Sequence, residues 1–101
     1  MKLLTEELKS KLPKLGETGE EPEALVKLFT PWANWTWFMC EYDPETERAF
    51  GLVDGHEVGI GYFSLAEIRG ITGPGGLKIE RDLHWTPKRI SEIKNKLEMI
   101  G

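Results

Sequence analysis

The densest run of chemistry-bearing residues in the chain is Glu80-Arg81-Asp82-Leu83-His84-Trp85, which holds two carboxylates, a guanidinium and an imidazole in consecutive or alternate positions. In an extended backbone alternate side chains share a side, so Glu80, Asp82 and His84 would fall together. Two carboxylates and an imidazole at that spacing suit a divalent ion of the Mg²⁺ or Mn²⁺ type, which could polarise a substrate oxygen for hydrolysis. The structural reading of the same run pairs Arg81 with Glu41 or another carboxylate and places His84 in a half-buried corner beside Trp85. Other catalytic patterns are thinner. One cysteine, Cys40, and two histidines, His56 and His84, exclude an intrachain disulfide and a four-ligand Cys/His zinc site. They also define no nucleophile and base pair, because nothing in the sequence brings them within reach of each other. Cys40 reads as a small buried hydrophobe. The glycine-rich Gly73-Pro74-Gly75-Gly76 lacks both phosphate-binding fingerprints and reads as a turn. Gly59 and Gly61 read as room for a neighbouring tryptophan or a bulge.

The four tryptophans, Trp32, Trp35, Trp37 and Trp85, offer a second kind of chemistry. They could stack on nucleotide bases or anchor a protein interface, or they could supply core, with Trp32 the expected exception because it follows Pro31 in a connection. A single-stranded nucleic-acid binder would combine Trp32, Trp35 or Trp37 with Lys78, Lys88 and Arg89. The net charge of -4 opposes that use, although the charge is unevenly spread. Residues 41–57 carry six acidic groups and one basic, and residues 78–96 carry six basic and three acidic. Such separation favours oriented docking on a partner.

The elements that must position these residues fit one domain spanning residues 1–101, since a chain of 101 residues builds one modest core. Thr5 caps a first helix, Leu4, Leu8 and Leu12 form its apolar stripe, and Pro13 ends it. Gly16 to Glu23 is an acidic loop. Strands follow at about 24–30, 34–42, 47–53 and 58–63, joined by connections too short for parallel crossovers. Trp35/Trp37/Met39 and Thr36/Phe38/Cys40 put apolar side chains on both faces of the second, as a central strand requires. Ser64-Leu65-Ala66-Glu67 is a capping box opening a short helix. A fifth strand is expected near 77–82, and Thr86-Pro87 open a last helix whose stripe is Ile90, Ile93, Leu97 and Ile100. The predicted architecture is α+β: an antiparallel meander sheet of four to five strands packed against N-terminal and C-terminal helices. No stretch is apolar enough for a membrane span, and the start turns acidic before a signal-peptide core forms, so a cytoplasmic location is expected.

Several ordered motifs, Leu4-Thr5-Glu6-Glu7-Leu8, Lys27-Leu28-Phe29-Thr30-Pro31, Trp35-Thr36-Trp37-Phe38 with Glu41, Phe50-Gly51-Leu52-Val53-Asp54-Gly55, Gly61-Tyr62-Phe63-Ser64-Leu65 and Ile79-Glu80-Arg81-Asp82-Leu83-His84, together resemble a bacterial family of unknown function. The resemblance covers about residues 3–93. It implies a small single-domain protein of the kind often carried by plasmids, phages and other mobile elements, and it brings no catalytic residue or cofactor. The leading expectation is a non-catalytic interaction or accessory protein that binds a protein partner, with Trp32, Trp35, Trp37, Glu41, Arg81, His84 and Trp85 as candidate binding residues. A single-stranded nucleic-acid binder and a divalent-metal hydrolase are the alternatives.

Overall fold

A computed structural model describes residues 2–100; Met1, Gly101 and the side chain of Ile100, the last position of the expected C-terminal stripe, lie outside the described residues. The chain forms α1 (Glu6–Lys11), β1 (Glu23–Ala24), β2 (Val26–Phe29), β3 (Thr36–Asp43), β4 (Arg48–Asp54), β5 (Val58–Ser64), α2 (Leu65–Gly70), a 3-10 turn (Pro74–Gly76), β6 (Glu80–Arg81), β7 (Lys88–Arg89) and α3 (Ile90–Ile100). Five strands make one antiparallel sheet in the order β5-β4-β3-β2-β6, and β1 pairs with β7 in a separate ribbon. The expected α+β meander is therefore the fold of the chain.

Local chemistry explains the helices. The Thr5 hydroxyl accepts the Leu8 N–H at 3.1 Å, satisfying one of the amides that a helix start leaves without a partner. Glu6 and Glu7 sit in the first turn and Lys9 and Lys11 in the last, each complementing the helix dipole. Ser64 caps α2 in the same way, accepting the Glu67 N–H at 3.2 Å.

The sheet buries both faces because β3 is apolar on both. Trp37, Met39 and Tyr42 join Val26, Leu28 and Ala49 in one core, closed by Leu3, Leu4 and Leu12 from the N-terminal segment and by Leu65 and Ile68 of α2. Phe38, Cys40 and Leu52 face the other way and pack with Ala24 of β1 and with Ile90 and Ile93 of α3. A register shift between Met39 and Glu41 lets Tyr42 share a core with Met39, three positions away, where strict alternation would send it to the opposite face. Gly51, paired with Met39, is required there: a Cβ would lie 1.8 Å from the Phe38 carbonyl oxygen.

Three expectations change. Thr86-Pro87 does not open the last helix; Lys88 and Arg89 extend to pair with Ala24 and Glu23, the Ile90 N–H donates to the Pro22 carbonyl at 3.0 Å, and α3 starts only at Ile90. The fifth strand shrinks to Glu80–Arg81, preceded by an isolated bridge between Thr72 and Lys78. Gly59 and Gly61 hold no indole, since a Cβ at either would meet nothing within 4 Å. The glycines that do are Gly55 and Gly73, where a Cβ would come within 2.3 Å of the Trp35 ring and 2.4 Å of the Trp32 ring.

Candidate functional site

An open cleft of about 720 Å³ lies where β2 meets β6, and Lys27, Trp35, Asp54, Glu80, Asp82 and His84 are among the residues that line it. Backbone pairing builds it: Glu80 sits opposite Phe29 and Arg81 opposite Leu28, and the Asp82 N–H donates to the Lys27 carbonyl at 2.9 Å. The extended run then stops. Leu83 and His84 form a turn in which the Asp82 carboxylate accepts the His84 backbone N–H at 2.9 Å, while its other oxygen lies 3.7 Å from the Lys27 ammonium. The alternation that would have set His84 beside Glu80 and Asp82 therefore breaks before His84. Among the described residues no three His, Cys, Asp or Glu side chains gather where they could hold a metal ion. Glu80, Asp82 and His84 share a cleft wall without forming a coordination sphere.

Arg81 and Glu41 do not pair as the sequence suggested. The Arg81 guanidinium donates to the backbone carbonyls of Lys2 and Leu3, at 2.7 and 3.0 Å, and so ties the N-terminal segment to β6. Glu41 is only 4% exposed and faces the acidic loop. Its carboxylate accepts the Gly16 N–H at 2.8 Å, the Thr18 N–H at 3.0 Å and the Thr18 hydroxyl. Burial pushes its pKa up, and the three donors together outweigh that and hold it below the ordinary carboxyl value. Glu41 is thus an anchor for the loop. Its charge and, above all, burial push the neighbouring Cys40 thiol up to about 12, so little thiolate exists at neutral pH.

The tryptophans are packed to different depths. Trp37 is buried; Trp35 stacks on it with ring centroids 6.0 Å apart and meets the His56 ring edge-on at 5.3 Å. Trp32, expected to be the exposed one, is half-buried over Gly73 against the first core. The Trp85 indole donates to the Ala24 carbonyl at 2.9 Å, and the ammonium groups of Lys27 and Lys88 stand 5.6 and 5.2 Å from its ring. The basic residues of the nucleic-acid alternative divide between two places. Lys88 and Arg89 lie in β7, whereas Lys78 donates to the Thr72 hydroxyl at 2.8 Å beside a cavity shared with Lys2, Lys9 and Arg69.

The most exposed apolar strand surface is one the sequence reading did not single out. Ile60 is 50% and Tyr62 56% exposed on β5, the outer strand of the sheet. Phe50 packs against Tyr62 at 5.1 Å between ring centroids, and the Arg48 guanidinium stands 4.8 Å from the Tyr62 ring. The Leu65 N–H donates to the Glu47 carbonyl at 2.9 Å, and inward and outward groups alternate along an antiparallel strand. Val58, Ile60 and Tyr62 therefore direct their N–H and C=O groups away from β4, as Ser64 does its N–H, while the Ser64 carbonyl, at the N-cap of α2, accepts the first bond of that helix. The alternation of Val58, Ile60 and Tyr62 was visible in the sequence, but the signal that β5 is an edge lies in long-range pairing.

A family model described as "Protein of unknown function (DUF2958)" matches residues 3–99. No curated protein and no solved structure matches the chain.

Proposed function

Because the chain belongs to the DUF2958 family, whose description assigns no activity, we propose from its own surface that it is a non-catalytic interaction protein binding a protein partner along β5. One observation carries the reading: the seven residues of β5 carry no charge and no proline, and three of them, Val58, Ile60 and Tyr62, offer outward backbone groups, with the Ile60 and Tyr62 side chains exposed. Sheet edges are ordinarily protected by charges, proline, bulges or a covering element, because bare ones recruit other strands. A partner segment added as a further strand would gain main-chain hydrogen bonds, with side-chain contacts to Ile60 and Tyr62 setting its selectivity. Tyrosine and arginine, here Tyr62 with Arg48 over its ring, are frequent anchors of such interfaces. The family resemblance supports reading the protein as a bacterial accessory of a mobile element, and the cytoplasmic location expected from the sequence goes with that reading.

The test compares the wild type with an Ile60→Lys/Tyr62→Lys variant as immobilised bait. Both side chains are exposed, so the variant should fold, which its melting curve checks. Captured partner should fall away with the variant, and bound partner should slow hydrogen exchange at the amides of Ile60 and Tyr62. Equal capture by both baits, with unchanged exchange at β5, would refute the reading.

A further inference from the structure

We infer that the occupant of the β5 edge is a second copy of this chain, joined by antiparallel pairing of β5 with β5 about a two-fold axis through Gly61. The inference rests on the interaction reading above and adds the identity of the partner and the register. A two-fold interface must be self-complementary, each residue meeting its counterpart's partner. Centring the pair on Gly61 keeps all seven residues of Val58–Ser64 paired, with Val58 opposite Ser64 and Ile60 opposite Tyr62 of the other copy. Ile60 and Tyr62 then exchange both their hydrogen bonds across the axis, and the Ser64 N–H donates to the Val58 carbonyl of the other copy, while the Ser64 carbonyl stays with the first turn of α2.

Both faces of the joined strands agree with this register. On one face Ile60 meets Tyr62 twice, an aliphatic and aromatic cross-strand pair of the stabilising kind. On the other, Phe63 of each copy, which packs against its own first core, lies opposite Gly59 of its mate, where a Cβ would touch nothing, so no side chain obstructs the approach of the two strands. Charge agrees as well. Asp54 pairs with Val58 and Arg48 with Ser64, so across the joined sheet a row runs Asp54, Val58, Ser64, Arg48, acidic at one end and basic at the other. The symmetry-related row repeats it in reverse. A parallel arrangement would instead set acidic ends side by side. A pair of seven-residue strands buries less than the about 800 Å² per partner of a standard interface, so the association is reversible and depends on concentration.

Sedimentation of the full chain from micromolar to near-millimolar concentration reads the equilibrium, and cysteine trapping reads the register. The wild type should pass from monomer to dimer, and Ile60→Lys/Tyr62→Lys should weaken the dimer by about tenfold or more. Gly61 faces itself in a pair that exchanges no hydrogen bonds, with Cα atoms about 4.5 Å apart, inside the range a disulfide spans. Oxidised Gly61→Cys should therefore cross-link into a covalent dimer, whereas Gly59→Cys, which faces Phe63, should not; the buried Cys40 stays out of the reaction. A wild type that remains monomeric throughout overturns the inference, as does a dimer that fails to cross-link through Gly61→Cys. If the wild type is monomeric yet the double lysine variant loses a heterologous partner, self-pairing falls and the interaction reading stands. If the double variant changes neither, both fall.

Discussion

Replacing Glu41 with glutamine should remove stability at neutral pH and almost none in acid, because glutamine has the shape of the protonated side chain. The carboxylate accepts from the Gly16 N–H, the Thr18 N–H and the Thr18 hydroxyl. In Glu41→Gln one oxygen remains to accept from Gly16, and an amide NH₂ turns toward the Thr18 N–H, donor against donor. A partly buried N–H left without a partner costs about 1–3 kcal/mol, and making the Gly16 bond neutral costs about 1 kcal/mol more. Near the middle of that sum, about 3 kcal/mol, the Tm of a domain this size falls by about 12–24 °C. The pH dependence follows from the direction of the shift. Glu41 titrates below its ordinary value of 4.5 in the folded chain, so its contribution is complete above that value and is lost as pH falls through the depressed one. Urea unfolding of wild type and Glu41→Gln, repeated from neutral pH downward, should give two curves that converge in acid. Amide exchange at Gly16 and Thr18 should quicken in the variant at neutral pH. A stability gap that keeps its size in acid would refute the reasoning, as would a neutral-pH gap of zero with unchanged exchange in the loop.

Two further outcomes are expected. Gly51→Ala sets a Cβ 1.8 Å from the Phe38 oxygen, 2.9 Å from its carbonyl carbon and 3.2 Å from the Met39 Cα, all backbone atoms of a central strand, and should cost about 3 kcal/mol or more in denaturant unfolding. Gly70→Ala at the end of α2 meets nothing within 4 Å and should instead gain about 0.5–1 kcal/mol, so similar values for the two would contradict the β3–β4 register. Cys40, 0% exposed and with its thiol pushed up to about 12, should react with thiol reagents at neutral pH only as fast as the domain opens; rapid labelling under native conditions would contradict its placement.

What the sequence revealed was local, and what it concealed was not. Thr5 with Glu6 and Glu7, and Ser64 three residues before Glu67, announce helix starts because a cap bonds within one turn. The two apolar faces of β3 announce a central strand for the same reason of short-range periodicity. Thr86-Pro87 also carries a local start signal, yet α3 begins later because Lys88 and Arg89 find backbone partners in β1, far away in the chain. Arg81 reaches Lys2 and Leu3 across almost the whole sequence, which no spacing rule anticipates. Sequence reasoning offers Glu41 as a partner for Arg81, whereas its actual partners, Gly16 and Thr18, meet it only once the acidic loop has folded back. The tryptophans were legible as important and not as to depth, since Gly55 and Gly73 make the room for Trp35 and Trp32.

The two margins of the sheet are unequal, and this limits how far an assembly can grow. β6 offers only Glu80 and Arg81, and Arg81 reaches over to Lys2 and Leu3, whereas β5 runs for seven residues with the outer groups of Val58, Ile60 and Tyr62 turned away from the sheet. Joining two copies through their long margins leaves the short ones outermost on both sides. Head-to-tail addition, the route from sheets to fibres, finds no second long margin of this sheet among the described residues. Under the pairing proposed above, the bare strand would be tolerated at high concentration, because it would end the chain of additions at the first step.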